Sequence, residues 1–319
     1  SCAIAGFTTR NIPSGPKGYL EAATVKAHLD KDVAALMITN PNTLGIFEQE
    51  ILEIAELLHA NGSYLYMDGA NLNAILGICR PGDMGVDCLH VNLHKTFGAP
   101  HGGGGPGGGP VLVQSELERF LPIPRIVHVP RELFTLSYRF PDSIGMVHST
   151  LGNVSVLLKA IVYIIRLGPK GLVEASRTAV LNANYLKARL KPYFDLPYDT
   201  PTLHEFVLTD KRQKEKGIST MDMAKTLMDF GFHPPTVYFP LVVNGAMMIE
   251  PTETEPLSEL DRFAEAMITI AETAEHDPQA LHGKPELMPV ARVDEVQAAR
   301  SLCLTWDMIE SNAGGAVSK

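Results

Sequence analysis

Positive charge is what this 319-residue sequence has too little of: 27 Lys and Arg stand against 36 Asp and Glu, a formal charge of −9 at pH 7. That balance excludes a general surface for nucleic acid or acidic membranes and leaves only local basic pockets. Cysteine is also sparse. The four thiols, Cys2, Cys79, Cys88 and Cys303, form neither a CxxC pair nor a metal-ligand cluster. This argues against a disulfide framework and for reduced thiols in a cytosol-like compartment. The most apolar stretch, Val154 to Leu167, is interrupted by Lys159 and too short to span a bilayer. No basic-then-apolar signal pattern opens the chain, and no internal repeat is visible. Neither GxGxxG after a first strand nor GxxxxGKS/T occurs, so a nucleotide cradle is not expected. With 45% hydrophobic and 20% charged residues, the chain reads as soluble globular material long enough for two domains.

Within those limits the grammar is of alternating strands and helices. Val33 to Thr39 is a continuous apolar run that predicts a buried strand ending at Asn40-Pro41-Asn42. Ile51, Ile54, Ala55 and Leu58 recur at helical spacing between Ile46 and Ala60, and Asn61-Gly62 stops that helix. Tyr64 to Met67 predicts a second strand running into Asp68-Gly69-Ala70-Asn71, and Cys88 to Leu93 a third ending at His94-Lys95. Such an order predicts a parallel doubly wound sheet with ligands outside the carboxyl ends of its strands, where Thr39, Asn40, Asp68, His94 and Lys95 all fall. Asn-Pro and Asp-Gly are also common turn formers, so each of these has a plainer alternative. Val111 to Gln114 reads as a further strand, Ser115 to Leu121 as a short helix capped by its serine, and Leu121 to Pro141 as an extended connection. Ile144 to Leu167 carries a helical pattern broken near Gly152-Asn153, and Gly171 to Leu190 a second amphipathic helix. Strand-like His204 to Thr209 and Ala246 to Glu250, with helices at Met221 to Phe230 and Pro256 to Glu275, predict a smaller α/β domain packed behind the first.

The stretch from Cys88 to Val113, CLHVNLHKTFGAPHGGGGPGGGPVLV, sets a lysine just past a strand and then breaks into glycines. A desolvated lysine in a cleft becomes an amine nucleophile able to form a Schiff base, the use pyridoxal phosphate (PLP) enzymes make of it. Lys95 is the candidate. Asp68 has the charge and position to pair with a pyridine nitrogen, and Thr39 and Asn40 are neutral donors for a ring oxygen or a carboxylate. Asn92, His94, Thr96 or the glycine loop are candidates for a phosphate. A solvated surface lysine beside a flexible loop is the alternative.

Longer runs add a resemblance. TNPNTLGIFE (Thr39 to Glu48), YMDGANLNAILG (Tyr66 to Gly77), RPGDMGVD (Arg80 to Asp87), NLHKTF with HGGGGPG (Asn92 to Gly107), HPPTVYFP (His233 to Pro240) and MIEPTETE (Met248 to Glu255) are similar to the glycine-decarboxylating P-protein family of the glycine cleavage system. More narrowly, they resemble its second subunit or the C-terminal half of the fused form, over nearly the whole chain. This resemblance implies an α/β fold, PLP-dependent transferase fold type I. Residues 1–142 would be the remainder of the large PLP-binding domain, 143–190 connecting helices and 191–319 a small C-terminal domain. The chain would begin inside the large domain, with ring-stacking and phosphate-loop residues preceding Ser1. Lys95 would hold pyridoxal 5'-phosphate, Asp68 would pair with its pyridinium and Ala70 would pack on the ring face. Thr39 or Asn40 would lie near the ring hydroxyl, and His94 near the phosphate or the lysine linkage. Decarboxylation of glycine, transfer of the aminomethyl group to the lipoyl arm of H-protein, and a heterotetramer with companion subunit 1 are the implied activity and partners, with the glycine loop bordering the lipoyl channel. The location would be cytoplasmic in a bacterium or archaeon, or the mitochondrial matrix for a fused form. Met146 to Gly152 departs from the family pattern, with Met146, Thr150 and Leu151 where a basic residue and aromatics are expected. Another PLP enzyme of the same fold, an aminotransferase or cysteine desulfurase, and an inactive interaction-only fragment are the competing readings.

Overall fold

Three consecutive strands, β1 (Ala35–Thr39), β2 (Tyr64–Gly69) and β3 (Cys88–Val91), pair in parallel, and β4 (Val111–Val113) joins β3 antiparallel, giving the order β1-β2-β3-β4. The computed structural model describes residues 2–309 except 105, 106, 132 and 150. The expected contributions of Gly105 and Pro106 to the glycine loop, and of Thr150 to the 146–152 segment, therefore lie outside the described residues. Among the helices on this sheet, α1 is Ala22–His28, α2 is Ile51–Ala60 and α3 is the single turn Leu93–Thr96. Helix α2 buries the predicted face, Ile51, Ile54, Ala55 and Leu58, in one cluster with Leu65 and Met67 of β2 and Leu89 and Val91 of β3. Each of the larger side chains removed from water here stabilises by roughly 1.5–3 kcal/mol. Gly62, at φ +77, lets the chain leave the helix where Asn61-Gly62 predicted.

The second layer begins with α4 (Val154–Leu190), which starts at Asn153, whose side chain accepts from Val156 N, and bends at Gly168 (φ 63, ψ −178) before Pro169. Beyond it come β7 (Phe206–Thr209), α5 (Lys211–Lys214), α6 (Thr220–Asp229), β8 (Thr236–Val237), β9 (Ala246–Ile249) and α7 (Leu257–His276). Strands β7, β9 and β8 form an antiparallel sheet in that order. Ser219 and Asp222 exchange side-chain and backbone bonds as a capping box at the start of α6. Leu186 and Leu190 of α4, Phe206 and Leu208 of β7, Met247 of β9 and Met267 of α7 fill a separate core. Within this sheet Phe206 is in register with Ile249. The residues next outward, Glu205 and Glu250, therefore leave the sheet side by side.

Four expectations need correction. Strand β1 is not buried: it pairs only with β2 among the described residues, and Met37 is 45% exposed. The segment 121–141 is not a plain connection, because β5 (Arg125–Val129) and β6 (Leu133–Ser137) fold into an antiparallel hairpin. Arg131, at φ 74, makes its turn after Pro130. Helix α4 starts ten residues later than Ile144, since Gly145 and Gly152 both adopt positive φ and interrupt the apolar pattern. Ser115 opens a 3-10 helix, Ser115–Phe120, with Gln114 rather than the serine at the cap position. Among the described residues no helix is long and apolar enough to cross a membrane.

Candidate functional site

The carboxyl ends of β1 and β2, the turn α3, helix α4 and the end of the second sheet where β7 begins and β9 stops line a cavity of about 650 Å³. From the first sheet come Thr39, Asp68, Ala70, His94, Lys95 and Thr96, and from the second Glu205, Met248, Glu250 and Glu253. A volume of this size suits a small-molecule ligand. Five of the six singled-out site residues thus meet in one place. Asn40 does not join them: it is fully buried, its Oδ1 accepts from Glu48 N at 3.1 Å, and its amide faces Met84 Sδ at 3.8 Å. Of the glycine-rich stretch, Gly98 lines the cavity, whereas the described residues of 102–109 do not.

Alternation along β2 delivers Asp68. Leu65 and Met67 point into the core beneath α2, so Tyr66 and Asp68 face the other way. Across the parallel pairing Asp68 is in register with His90. His90 Nε2 lies 3.1 Å from Asp68 Oδ1, and Tyr66 Oη lies 2.7 Å from His90 Nδ1. With the tyrosine hydroxyl donating, the imidazole presents its N–H to the carboxylate. Burial raises the Tyr66 hydroxyl above its ordinary range, with Cys88 and Asp68 adding to it, which keeps that donor protonated. Asp68 Oδ1 also accepts from Ala70 N at 2.8 Å. Oδ2 has no protein partner among the described residues. Tyr66 and His90 were not singled out from the sequence, although two-residue alternation from Asp68 and from Val91 marks their face.

Lys95 sits exposed on α3. Beside it, His94 meets His101 edge-on with ring centroids 4.7 Å apart. Burial, His101 and Lys95 in that order push the His94 imidazole below its ordinary value, which makes it a neutral donor and acceptor at pH 7. Facing Lys95 from the second sheet stand His204, Glu205 and Glu250. His204 Nε2 lies 3.7 Å from Glu205 Oε1 and 3.8 Å from Glu250 Oε1. Both ring nitrogens of His204 are buried without a hydrogen-bond partner. Burial drives His204 down to about 3, with Lys95 contributing. It drives Glu205 up to about 8, reinforced by Glu250 and opposed by Lys95 and by the Asn71 amide, which donates to Glu205 Oε1 at 3.0 Å. None of these residues was expected from sequence reasoning.

The turn at 42–46 clamps this wall. Asn42 Oδ1 accepts from Leu44 N and Ile46 N at 3.0 and 3.3 Å, and Leu203 N donates to Gly45 O at 2.7 Å. Gly45 has φ +75, and a Cβ there would lie 1.8 Å from the Glu205 carbonyl oxygen. Gly45→Ala therefore meets both backbone strain and rigid backbone. It is expected to destabilise the protein by roughly 2–5 kcal/mol, read from the shift of the urea midpoint, and an unchanged midpoint would show that the two segments part easily.

Comparisons with known proteins point in one direction. A family model described as glycine cleavage system P-protein matches residues 7–134, and one described as glycine dehydrogenase, C-terminal domain, matches residues 175–284. The probable glycine dehydrogenase (decarboxylating) subunit 2 of Chloroherpeton thalassium is 53% identical over 309 residues, 96% of this chain and 63% of that protein. The corresponding protein of Bacillus licheniformis is 50% identical over 307 residues, again 96% of this chain and 63% of its own length. The chain thus spans less than two thirds of these curated relatives. Among solved structures, a glycine decarboxylase (P-protein) of the glycine cleavage system in inhibitor-bound form is similar at TM-score 0.68 and 22% identity, covering 84% of this chain and 60% of that one. An apo cysteine desulfurase from Thermococcus onnurineus NA1 follows at TM-score 0.62 and 17% identity, covering 84% and 67%. At such identities the likeness is one of fold.

Proposed function

The chain belongs to the glycine cleavage P-protein family and has the fold of type I PLP enzymes, and from that premise we propose that it serves pyridoxal phosphate-dependent decarboxylation of glycine. It does so as subunit 2 of a glycine dehydrogenase, passing the aminomethyl group to the lipoyl arm of H-protein and pairing with a companion subunit 1 in a heterotetramer, in the cytoplasm. Residues 1–142 supply the large domain, 143–190 the connecting helices and 191–319 the small domain. One observation carries this reading: Lys95 and an Asp68 fixed by His90 and Tyr66 line one cavity in a chain half identical to subunit 2 proteins.

The residues present fit the cofactor. Asp68 keeps Oδ2 without a protein partner among the described residues, the Lys95 amine is accessible, and the buried Thr96 Oγ1 has no hydrogen-bond partner in the protein. Lys95 would hold it, Asp68 would pair with the ring nitrogen, Ala70 would lie against the ring, and Thr39, His94 and Thr96 would serve its oxygens. When bound, the cofactor supplies the electron sink that lets glycine lose its carboxylate as carbon dioxide. The chain's own part is to hold charge and position. His90 and the Ala70 N–H both bond Asp68 Oδ1, which fixes the carboxyl group in place and leaves Oδ2 for the ring. Tyr66 fixes the orientation of His90.

The test is exchange of labelled carbon dioxide into the carboxyl group of glycine, with companion chain and lipoylated H-protein present. Wild type is expected to exchange, and Asp68→Asn to lose on the order of 10²–10³-fold, because a neutral amide cannot hold the pyridinium. Full exchange by Asp68→Asn, or exchange that does not need the lipoyl group, would reject the reading.

A further inference from the structure

We propose that Glu205 stands in the wall of the Lys95 cavity as a neutral carboxylic acid at neutral pH and acts as a positioning residue, so that of the adjoining Glu205 and Glu250 carboxyl groups only Glu250 carries charge toward Lys95. The inference rests on Lys95 being the reactive group of the cavity. Its basis is geometric. The register of β7 on β9 sends Glu205 and Glu250 out of the sheet as neighbours, and one His204 nitrogen lies within 4 Å of both carboxyl groups. Glu205 is only 2% exposed, and among the described residues no lysine or arginine forms an ion pair with either carboxyl group. Two carboxylates so placed do not both ionise without a cation between them.

The single proton could reside on His204 or on a carboxyl group, and the surroundings decide between them. An imidazolium at His204 would bury two N–H groups, and neither ring nitrogen has a hydrogen-bond partner. Burial pushes Glu250 up as well, but the Asn73 amide, which donates to its Oε1 at 3.2 Å, and Lys95 oppose that, and 37% of its side chain remains exposed. Glu205 is the enclosed one, so the proton belongs there. The charged and titratable groups around it are His204 from its own segment, Glu250 and then Glu253 after β9, Lys95 on α3, and Glu48, reached through Asn42 and Asn71 on the 42–71 side. Lys95 is the cation among them, so its charge and the Glu205 proton are reciprocally coupled. Were Glu205 ionised, it and Glu250 would both present charge to Lys95 from adjoining positions.

Infrared spectroscopy of the 319-residue chain tests this directly. Wild type is expected to show a protonated-carboxyl C=O band at pH 7 that Glu205→Gln removes and that titrates away near pH 8. The midpoint should move up in Lys95→Met, which loses the opposing cation, and down in Glu250→Gln, which loses the neighbouring anion. Those two variants leave Glu205 in place, so the result stands even where Glu205→Gln folds poorly. A band untouched by Glu205→Gln, no band at pH 7, or a midpoint indifferent to Lys95→Met overturns the proposal. None of these measurements uses glycine or H-protein. A chain with the band but no glycine exchange refutes the functional reading alone, and exchange without the band refutes this inference alone.

Discussion

Lys95→Ala is expected to abolish the borohydride-trapped pyridoxal phosphate adduct and to lower glycine exchange by on the order of 10³-fold or more. The fold should not notice. Lys95 is exposed on a single helical turn, whereas its neighbours Leu93 and Thr96 are the buried ones, so the change in stability should stay within about 0.5 kcal/mol. That separation makes the experiment decisive: circular dichroism and the urea midpoint remain those of wild type while the adduct disappears. An adduct of undiminished yield in the variant would mean that another lysine is the cofactor residue.

A second large effect concerns stability against pH. Glu205 is neutral in the folded chain up to about pH 8, but once unfolded it ionises from about 4.5. Its contribution is therefore complete below pH 4.5 and is lost as pH rises to 8. His204 runs the other way: ordinary at 6.5 when unfolded and about 3 when folded, it contributes fully above 6.5 and loses that contribution as pH falls to 3. Between 4.5 and 6.5 the two slopes oppose each other, leaving a plateau with a decline on either side. Of these two groups only Glu205 still acts from pH 6.5 to 8, and its slope should cost wild type roughly 2 kcal/mol over that interval. Glu205→Gln should lose less than half as much. Denaturant midpoints at the two pH values decide it, and parallel losses in both proteins would place the titrating group elsewhere.

The sequence announced β1 to β4, α2, α6, α7, β7 and β9 through local pattern, and it put Lys95 and Asp68 at strand ends because those can be read from where an apolar run stops. Ile51, Ile54, Ala55 and Leu58 needed only their own spacing to show which face is buried. What stayed hidden depends on separation. Asn71 and Glu205 meet across 134 residues, and nothing in the tripeptide His204-Glu205-Phe206 distinguishes an acid facing a reactive cavity from the polar start of an ordinary strand. Asn40 misled for the opposite reason: it does sit at a strand end, but the backbone N–H of Glu48 claims its side chain. The β5–β6 hairpin was masked by Pro130 and Arg131, which read as loop residues and are in fact its turn.

Strand β2 has a consequence for how this protein can change. Its six residues carry two messages in interleaved positions, Leu65 and Met67 for the core and Tyr66 and Asp68 for the face that meets His90 and the cavity. Substitutions can edit either message separately. An insertion or deletion of one residue between Leu65 and Asp68 cannot, because it exchanges the faces, driving a carboxylate beneath α2 and turning a leucine or methionine out toward Lys95. The spacing of this strand is therefore less free to vary than any of its side chains, and in any redesign or drift of the protein the reading frame of β2 would be the last thing to move.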